Sequence, residues 1–145
     1  MKKPTLIQAF SIGFVCICLA AFTFQNNPWN ASQVIQPEEL AELLDGPASK
    51  QPVILNMGTM PPIKNAKMIG IGNSTHGMNK LKEYSSKIDK SKTVVVYCGC
   101  CTMDNCPNIR QPMEYLISQG FINAKVLNIK TDLSTDWTNK GYPMN

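Results

Sequence analysis

The sequence predicts an α/β fold in which a central, mostly parallel sheet is covered by helices on both faces. Short, continuous apolar runs of strand type alternate along the chain with segments whose apolar residues recur at helical spacing. The strongest run, Val94 to Tyr97, is typical of a parallel strand buried on both faces. With 145 residues, the chain is long enough for one such domain with a substantial core.

The N-terminal residues predict an export segment. Lys2 and Lys3 precede an apolar run from Leu6 to Phe24, and these are the parts of a bacterial export signal. The run also has about the length of a membrane-spanning helix, so cleavage and retention as an anchor remain alternatives. The expected location is the periplasm, or the inner membrane with the domain facing the periplasm. We expect a signal peptide or membrane anchor at residues 1–25, a linker at 26–33 and the folded domain at 34–145.

The first half of the domain has clear start and stop signals. Pro37 fits the first position of a helix, where its missing N–H is not needed, and the Gly46-Pro47 pair ends that helix. The apolar runs on either side read as strands because they are short and bounded by turn residues. The expected elements are an edge strand at Val34-Ile35, the helix from Pro37, a strand at Val53–Met57 and a strand at Ala66–Ile71.

The second half repeats the alternation. A polar loop, Gly72 to Gly77, is expected to lead into a helix from about Met78 to Ile88. Either Pro107 or Pro112 could be the first residue of the helix that follows the strongest strand, and Gly120 is its expected end. The remaining expected elements are the strand at Val94–Tyr97, a strand at Ala124–Ile129 and a short helical turn at Thr131–Trp137.

A cluster of cysteines directly follows the strongest strand. Four of the six cysteines fall within nine residues, and the other two lie in the N-terminal apolar run, where we expect no chemistry. In parallel sheets, ligands bind beyond the carboxyl ends of the strands, which is where Cys98 lies. A thiol between a strand and a helix N-terminus is also favoured as a thiolate. The pattern therefore predicts a reactive-cysteine site at Cys98, Cys100, Cys101 and Cys106.

With these residues assembled, the chain resembles the rhodanese-like family of sulfurtransferases, in particular an exported bacterial subgroup with a cysteine-rich active loop. The resemblance covers roughly residues 34–144 and implies the family's three-layer α/β fold. Three features carry it: the strand VVVYC ending on a cysteine, an arginine before a helix that ends in Gly-Phe, and a Trp…Gly-Tyr-Pro tail. In this chain these are Cys98, Arg110, Gly120-Phe121, Trp137 and Gly141-Tyr142-Pro143.

The resemblance implies a catalytic role for Cys98. In the family, the cysteine after the strand carries a persulfide, so sulfane sulfur would move from a donor such as thiosulfate to a thiol or cyanide acceptor. Backbone N–H groups of the loop would hold the persulfide, and Arg110 and Lys130 are candidates to attract the anionic donor. The expected active loop comprises Gly99, Cys100, Cys101, Asn105 and Cys106.

The chain departs from the family pattern in the loop and after the early strand. Arg110 lies further from the cysteine than is usual, and the interval holds three additional cysteines. The family's Asp-x-Arg segment reads Asn56-Met57-Gly58, which lacks the charge pair. The family's His-Ile-Pro-Gly-Ala segment is reduced to Ile63-Lys64-Asn65-Ala66.

The additional cysteines leave three alternatives open. Cys101 or Cys106 could resolve the persulfide by forming a disulfide. All four, Cys98 included, could bind Cu(I) or zinc through thiolates, although one short loop is cramped for four ligands. Cys100 or Cys101 could be structural. A rhodanese scaffold that binds metal, or a thiol-disulfide redox module without sulfur transfer, is therefore the alternative function.

Composition argues against other classes of partner. The net charge of +4 is mild, and the lysines between Lys80 and Lys90 alternate with acidic and apolar residues, which is typical of a solvated helix face. We expect no nucleic-acid partner, no cofactor and a monomer whose N-terminal segment contacts the membrane. His76, the only histidine, lies in a polar loop and is expected to be solvated.

Overall fold

A computed structural model describes residues 28–145, and the predicted export segment lies outside these residues. Five parallel strands form one sheet in the order β1-β5-β4-β2-β3. The α/β prediction is confirmed. Within residues 28–145, no helix combines the length and apolar character needed to cross a bilayer. The elements are β1 (Val34–Ile35), α1 (Pro37–Asp45), β2 (Val53–Asn56), β3 (Ala66–Met68), α2 (Thr75–Ser85), β4 (Val94–Tyr97), α3 (Pro107–Ser118), β5 (Ala124–Leu127) and α4 (Leu133–Asp136).

Two apolar clusters lie on opposite faces of the sheet, and β4 contributes alternate side chains to each. Val94 and Val96 pack on one face with residues of α2 and α3, whereas Val95 and Tyr97 pack on the other with residues of α1. All four side chains are fully buried. A strand with both faces covered can be apolar at every position, which explains the VVVY run.

Helix α1 follows its sequence signals. Pro37 is the first helical residue, and Gly46 follows the last one. Leu40 and Leu44 are buried on the same side of the helix, because residues four positions apart share a face. The sequence prediction for this element is confirmed.

Helix α2 begins and ends about three residues earlier than the periodicity suggests. It starts at Thr75 because the Ser74 hydroxyl accepts a hydrogen bond from the Gly77 amide at 3.0 Å and so caps the helix. Gly77 is therefore helical, and a Cβ at this position would lie 2.0 Å from the Ile71 carbonyl oxygen. The expected start at Met78 is wrong because the cap lies inside the segment that reads as a loop.

Helix α3 settles the choice between the two prolines. Pro107 is its first residue, Cys106 is the residue before it, and Pro112 lies inside the helix. Pro112 has no N–H, so the Asn108 carbonyl lacks its usual intrahelical donor. The backbone of Gly72 approaches this carbonyl so closely that a Cβ there would be 2.0 Å from the oxygen.

Both ends of the described range, residues 28–145, pack onto the domain. The Trp137 ring is fully buried, its Nε1 donates to the Pro143 carbonyl at 3.0 Å, and it contacts the Tyr142 ring edge-on with 5.2 Å between centroids. At the other end, Trp29 is buried although it lies in the segment expected to be a linker. Ordered packing therefore begins upstream of Val34.

Candidate active site

Cys98 directly follows β4, which lies between β5 and β2 in the sheet. It is fully buried and belongs to the same cluster as Val94 and Val96, so its side chain points toward the face that α3 covers. The position at the carboxyl end of a central parallel strand agrees with the sequence prediction.

Gly58 makes room for the Cys98 sulfur. It follows β2, the neighbour of β4, and therefore reaches the same edge of the sheet. A Cβ at residue 58 would lie 2.7 Å from the Cys98 Sγ and 2.6 Å from the Cys98 carbonyl oxygen. Any side chain here would have to displace the thiol or the strand end, so the site requires glycine at this position.

The loop after Cys98 is attached to the segment that follows β5. Gly99 turns the chain with a φ of +83°, and its carbonyl accepts from the Leu133 amide at 3.0 Å. Further along, the Met103 amide donates to the Ile129 carbonyl at 2.8 Å, and Trp29 Nε1 donates to the Met103 carbonyl at 3.4 Å. These long-range bonds fix the loop in place.

The loop brings the cysteine sulfurs together. Cys98 Sγ lies 3.1 Å from Cys100 Sγ, and Cys100 Sγ lies 3.4 Å from Cys101 Sγ. The sulfurs of Cys98, Cys100 and Cys106 all lie within 4.8 Å of one another. All four loop cysteines are free thiols; Cys98 and Cys106 are buried, whereas Cys100 is exposed.

Two groups from the start of α3 stabilise Cys98 as a thiolate. A hydrogen bond from the Cys106 thiol is the largest influence on the pKa of Cys98. The Asn108 side-chain amide also donates to Cys98 Sγ, at 3.3 Å. Together with bonds from Cys100, they outweigh burial and lower the pKa of Cys98 from 9.0 to about 5.

The neighbouring thiols stay protonated. Donation of its proton to Cys98, followed by burial, raises the pKa of Cys106. The pKa of Cys100 is raised to about 12, first by desolvation of its sulfur and then by its contacts with Cys98 and Cys101. The residue as a whole is nevertheless exposed. The directions of these pKa shifts place the negative charge on Cys98 rather than on Cys100 or Cys106.

An open cleft of about 550 Å³ lies next to the cluster. Arg110 is exposed and lines it together with Cys106, so the predicted anion-binding residue shares this opening with one cysteine of the cluster. The carboxylate of Asp104 lines the same cleft and offsets part of the positive charge of Arg110. The complete lining is Asn73, Asp104, Asn105, Cys106, Pro107, Arg110 and Gln111.

Two other candidates lie apart from this cleft. Lys130 lines a separate cavity of about 100 Å³ with Glu38, Asp136 and Lys140 among its neighbours. His76 is exposed in the first turn of α2. The structure therefore places Arg110 on the same cleft as Cys106 and places Lys130 elsewhere.

The cluster also has the composition of a site for a soft metal ion. Cys98, Cys100 and Cys106 could each supply one thiolate ligand. Cys101 Sγ contacts Cys100 Sγ but does not belong to this group of three. Three of the four cysteines considered from the sequence therefore have sulfurs within 4.8 Å of one another.

Asn108 and Gly58 were not recognised from the sequence. A signal for Asn108 existed: an amide in the first turn of a helix that follows a cysteine loop is close to whatever lies at that helix end. A signal for Gly58 also existed, because a glycine after the strand beside β4 reaches the same sheet edge as Cys98.

Comparison of the chain with protein-family models, curated proteins and solved structures gave no match.

Proposed function

We propose that the protein is a sulfurtransferase in which Cys98 carries sulfane sulfur as a persulfide. The observation that supports it most is the position of the Cys98 sulfur at the end of the central strand, where the Asn108 amide donates a hydrogen bond to it and the Cys106 sulfur lies within 4.8 Å. A thiol with a low pKa is ionised at neutral pH and is a ready nucleophile. The order strand, cysteine, loop and helix supports membership of the rhodanese-like family as part of the same proposal.

In the first half-reaction, the Cys98 thiolate attacks the outer sulfur of thiosulfate. The sulfur–sulfur bond of the donor breaks, its electron pair leaves with sulfite, and Cys98 becomes a persulfide anion. The donors that stabilise the thiolate, Cys106 and Asn108, remain beside the new anion. An acceptor thiolate or cyanide then removes the outer sulfur and regenerates the Cys98 thiolate.

The donor approaches from the cleft beside Cys106. The Arg110 guanidinium lines this cleft and attracts an oxyanion such as thiosulfate. Cys98 is fully buried, so the donor reaches its sulfur only when side chains of the loop move aside, while the backbone bonds of Gly99 and Met103 hold the loop itself in place. The exposed Cys100, which touches the Cys98 sulfur, is the first side chain that must move.

The test uses the full-length protein, purified in reduced form and mixed with thiosulfate without oxygen. We expect sulfite release together with an intact mass increased by one sulfur atom after rapid acid quenching. Cys98→Ser should abolish both signals. Absence of sulfite and of any sulfur adduct on the wild-type protein would overturn the proposal.

The N-terminal pattern supports a proposed location outside the cytoplasm, in the periplasm or anchored to the inner membrane. Fractionation of bacteria that express the full chain measures this directly. The expected result is recovery with the periplasmic or membrane fraction. Recovery with the cytoplasmic fraction alone would contradict it.

The convergence of three sulfurs favours a second candidate, a site for Cu(I) formed by Cys98, Cys100 and Cys106. Elemental analysis after purification under mild, reducing conditions tests it. A metal-free protein with full secondary structure that also fails to take up Cu(I) would exclude this candidate. A plain redox module is excluded if the loop thiols stay free after mild oxidation.

A further inference from the structure

We propose that Cys100 resolves the Cys98 persulfide, so that the sulfane sulfur leaves as hydrosulfide and a Cys98–Cys100 disulfide forms. This inference rests on the proposed persulfide function and names its second substrate. In this reaction the second substrate is a dithiol reductant, which reduces the Cys98–Cys100 disulfide to two thiols. The sulfur product is sulfide.

The distance between the two sulfurs carries this proposal. Cys100 Sγ lies 3.1 Å from Cys98 Sγ, within the roughly 3–3.5 Å separation of reacting atoms that are poised for attack. The attacked atom is Cys98 Sγ, the inner sulfur of the persulfide. Cys101 Sγ contacts Cys100 rather than completing the group around Cys98.

Exposure distinguishes Cys100 from Cys106, the other thiol beside Cys98. Cys106 is only 4% exposed, so a disulfide between Cys98 and Cys106 would be closed to an external reductant. Cys100 is exposed, so an external reductant can approach this end of a Cys98–Cys100 disulfide. Cys106 also serves as the hydrogen-bond donor that holds charge on Cys98.

The residue between the two cysteines suits a small disulfide ring. Gly99 has a φ of +83°, a conformation that glycine adopts without strain, and this turn places both sulfurs on the same side. Exposed or strained disulfides have less negative reduction potentials and are the ones used in turnover. A Cys-Gly-Cys disulfide at the surface is therefore readily reduced again.

Atoms and electrons balance in this step. Cys100 Sγ forms a bond to Cys98 Sγ, and the bond between Cys98 Sγ and the outer sulfur breaks with its electron pair on the outer sulfur. The proton of the Cys100 thiol passes to that sulfur, which leaves as HS⁻. The two cysteine sulfurs are oxidised to the disulfide, and the sulfane sulfur is reduced to sulfide. A dithiol reductant then becomes a disulfide as it restores both thiols.

The experiment follows the full-length, reduced protein after thiosulfate is added without free reductant or oxygen. Sulfite, sulfide and free thiols are measured together. We expect equal amounts of sulfite and sulfide, with Cys98 and Cys100 protected from alkylation while Cys101 and Cys106 are still labelled. Cys100→Ser should release sulfite without sulfide and keep the sulfur on Cys98.

Cys18→Ser is the matched control, since it removes a cysteine of the N-terminal apolar run, outside the active loop, and it should release sulfide as the wild type does. The inference is overturned if wild type and Cys100→Ser both release sulfite and keep a stable persulfide. It is also overturned if Cys106→Ser traps the persulfide and Cys100→Ser does not. Absence of sulfite from every variant would instead reject the persulfide function itself.

Discussion

Asn108 and Cys106 act on one sulfur from the same end of α3. The amide nitrogen of Asn108 lies 3.3 Å from Cys98 Sγ, and Cys106 occupies the position before the first helical residue. The N-terminus of a helix of 12 residues adds a favourable field for an anion at that place. A side-chain base is not required to ionise Cys98, because the groups that contact its sulfur donate hydrogen bonds to it.

We expect the thiolate of Cys98 to persist well into the acidic range. Because its pKa is lowered to about 5, the thiolate predominates above this pH and is lost as the pH falls through it. The measurement is ultraviolet thiolate absorbance, taken as the difference between wild type and Cys98→Ser across the pH range. A difference that titrates near the ordinary thiol value of 9.0 would contradict the assignment of the charge to Cys98.

Asn108→Leu should raise the midpoint of that titration by roughly one pH unit, since a hydrogen bond to a charged acceptor contributes about 1.5 kcal/mol. Leucine has a similar shape but offers no donor. Asn79→Leu, at an exposed position of α2, is the control and should leave the midpoint unchanged. An unchanged midpoint in Asn108→Leu would mean that its bond to the sulfur contributes nothing.

Gly58→Ala should destabilise the protein by about 1–3 kcal/mol and slow sulfite release, because the new methyl group overlaps Cys98 Sγ. Gly46→Ala is a suitable control, since a Cβ there would lie 3.4 Å or more from its neighbours. Urea denaturation measures both variants. Equal free energies of unfolding for the two variants would show that the ends of β2 and β4 accommodate the new methyl group without loss of stability.

Among the helices and strands, the sequence predicted the bounds correctly where the signal was local. Pro37 and Gly46 bounded α1, and the VVVY run identified β4, because each signal concerns a few neighbouring residues. The start of α2 was missed because Ser74 lies in a stretch rich in Gly, Asn, Ser and Thr that resembles a loop. A capping serine and a loop serine differ only in whether a helix follows.

Ser74→Ala should therefore lower the free energy of unfolding by about 1 kcal/mol, the usual effect of losing a side-chain N-cap. Ser86→Ala, near the other end of α2, should change it by less than about 0.5 kcal/mol because its hydroxyl is exposed. Chemical denaturation compares the two. Equal effects would indicate that the Ser74 bond to the Gly77 amide does not stabilise α2.

For the molecule as a whole, the topology of the sheet made the position of Cys98 predictable. The arrangement of the cysteine sulfurs around it was not predictable. The carboxyl ends of parallel strands lie at one edge of the sheet, where ligands bind, so a cysteine directly after a buried strand is expected at that edge. The loop conformation depends on pairs distant in sequence, such as Met103 with Ile129 and Gly99 with Leu133. No local pattern encodes these pairs.

The proline inside α3 has a mechanical consequence for this site. Because residue 112 has no N–H, the helix ladder is interrupted at the carbonyl of Asn108, the residue whose side chain holds the Cys98 thiolate. The first turn of α3 is therefore tied to the domain partly from outside, by contacts such as that between the Asn73 amide and the Asn108 side-chain oxygen at 3.4 Å. The position of the amide that donates to Cys98 thus depends on contacts outside the helix as well as on the helix itself.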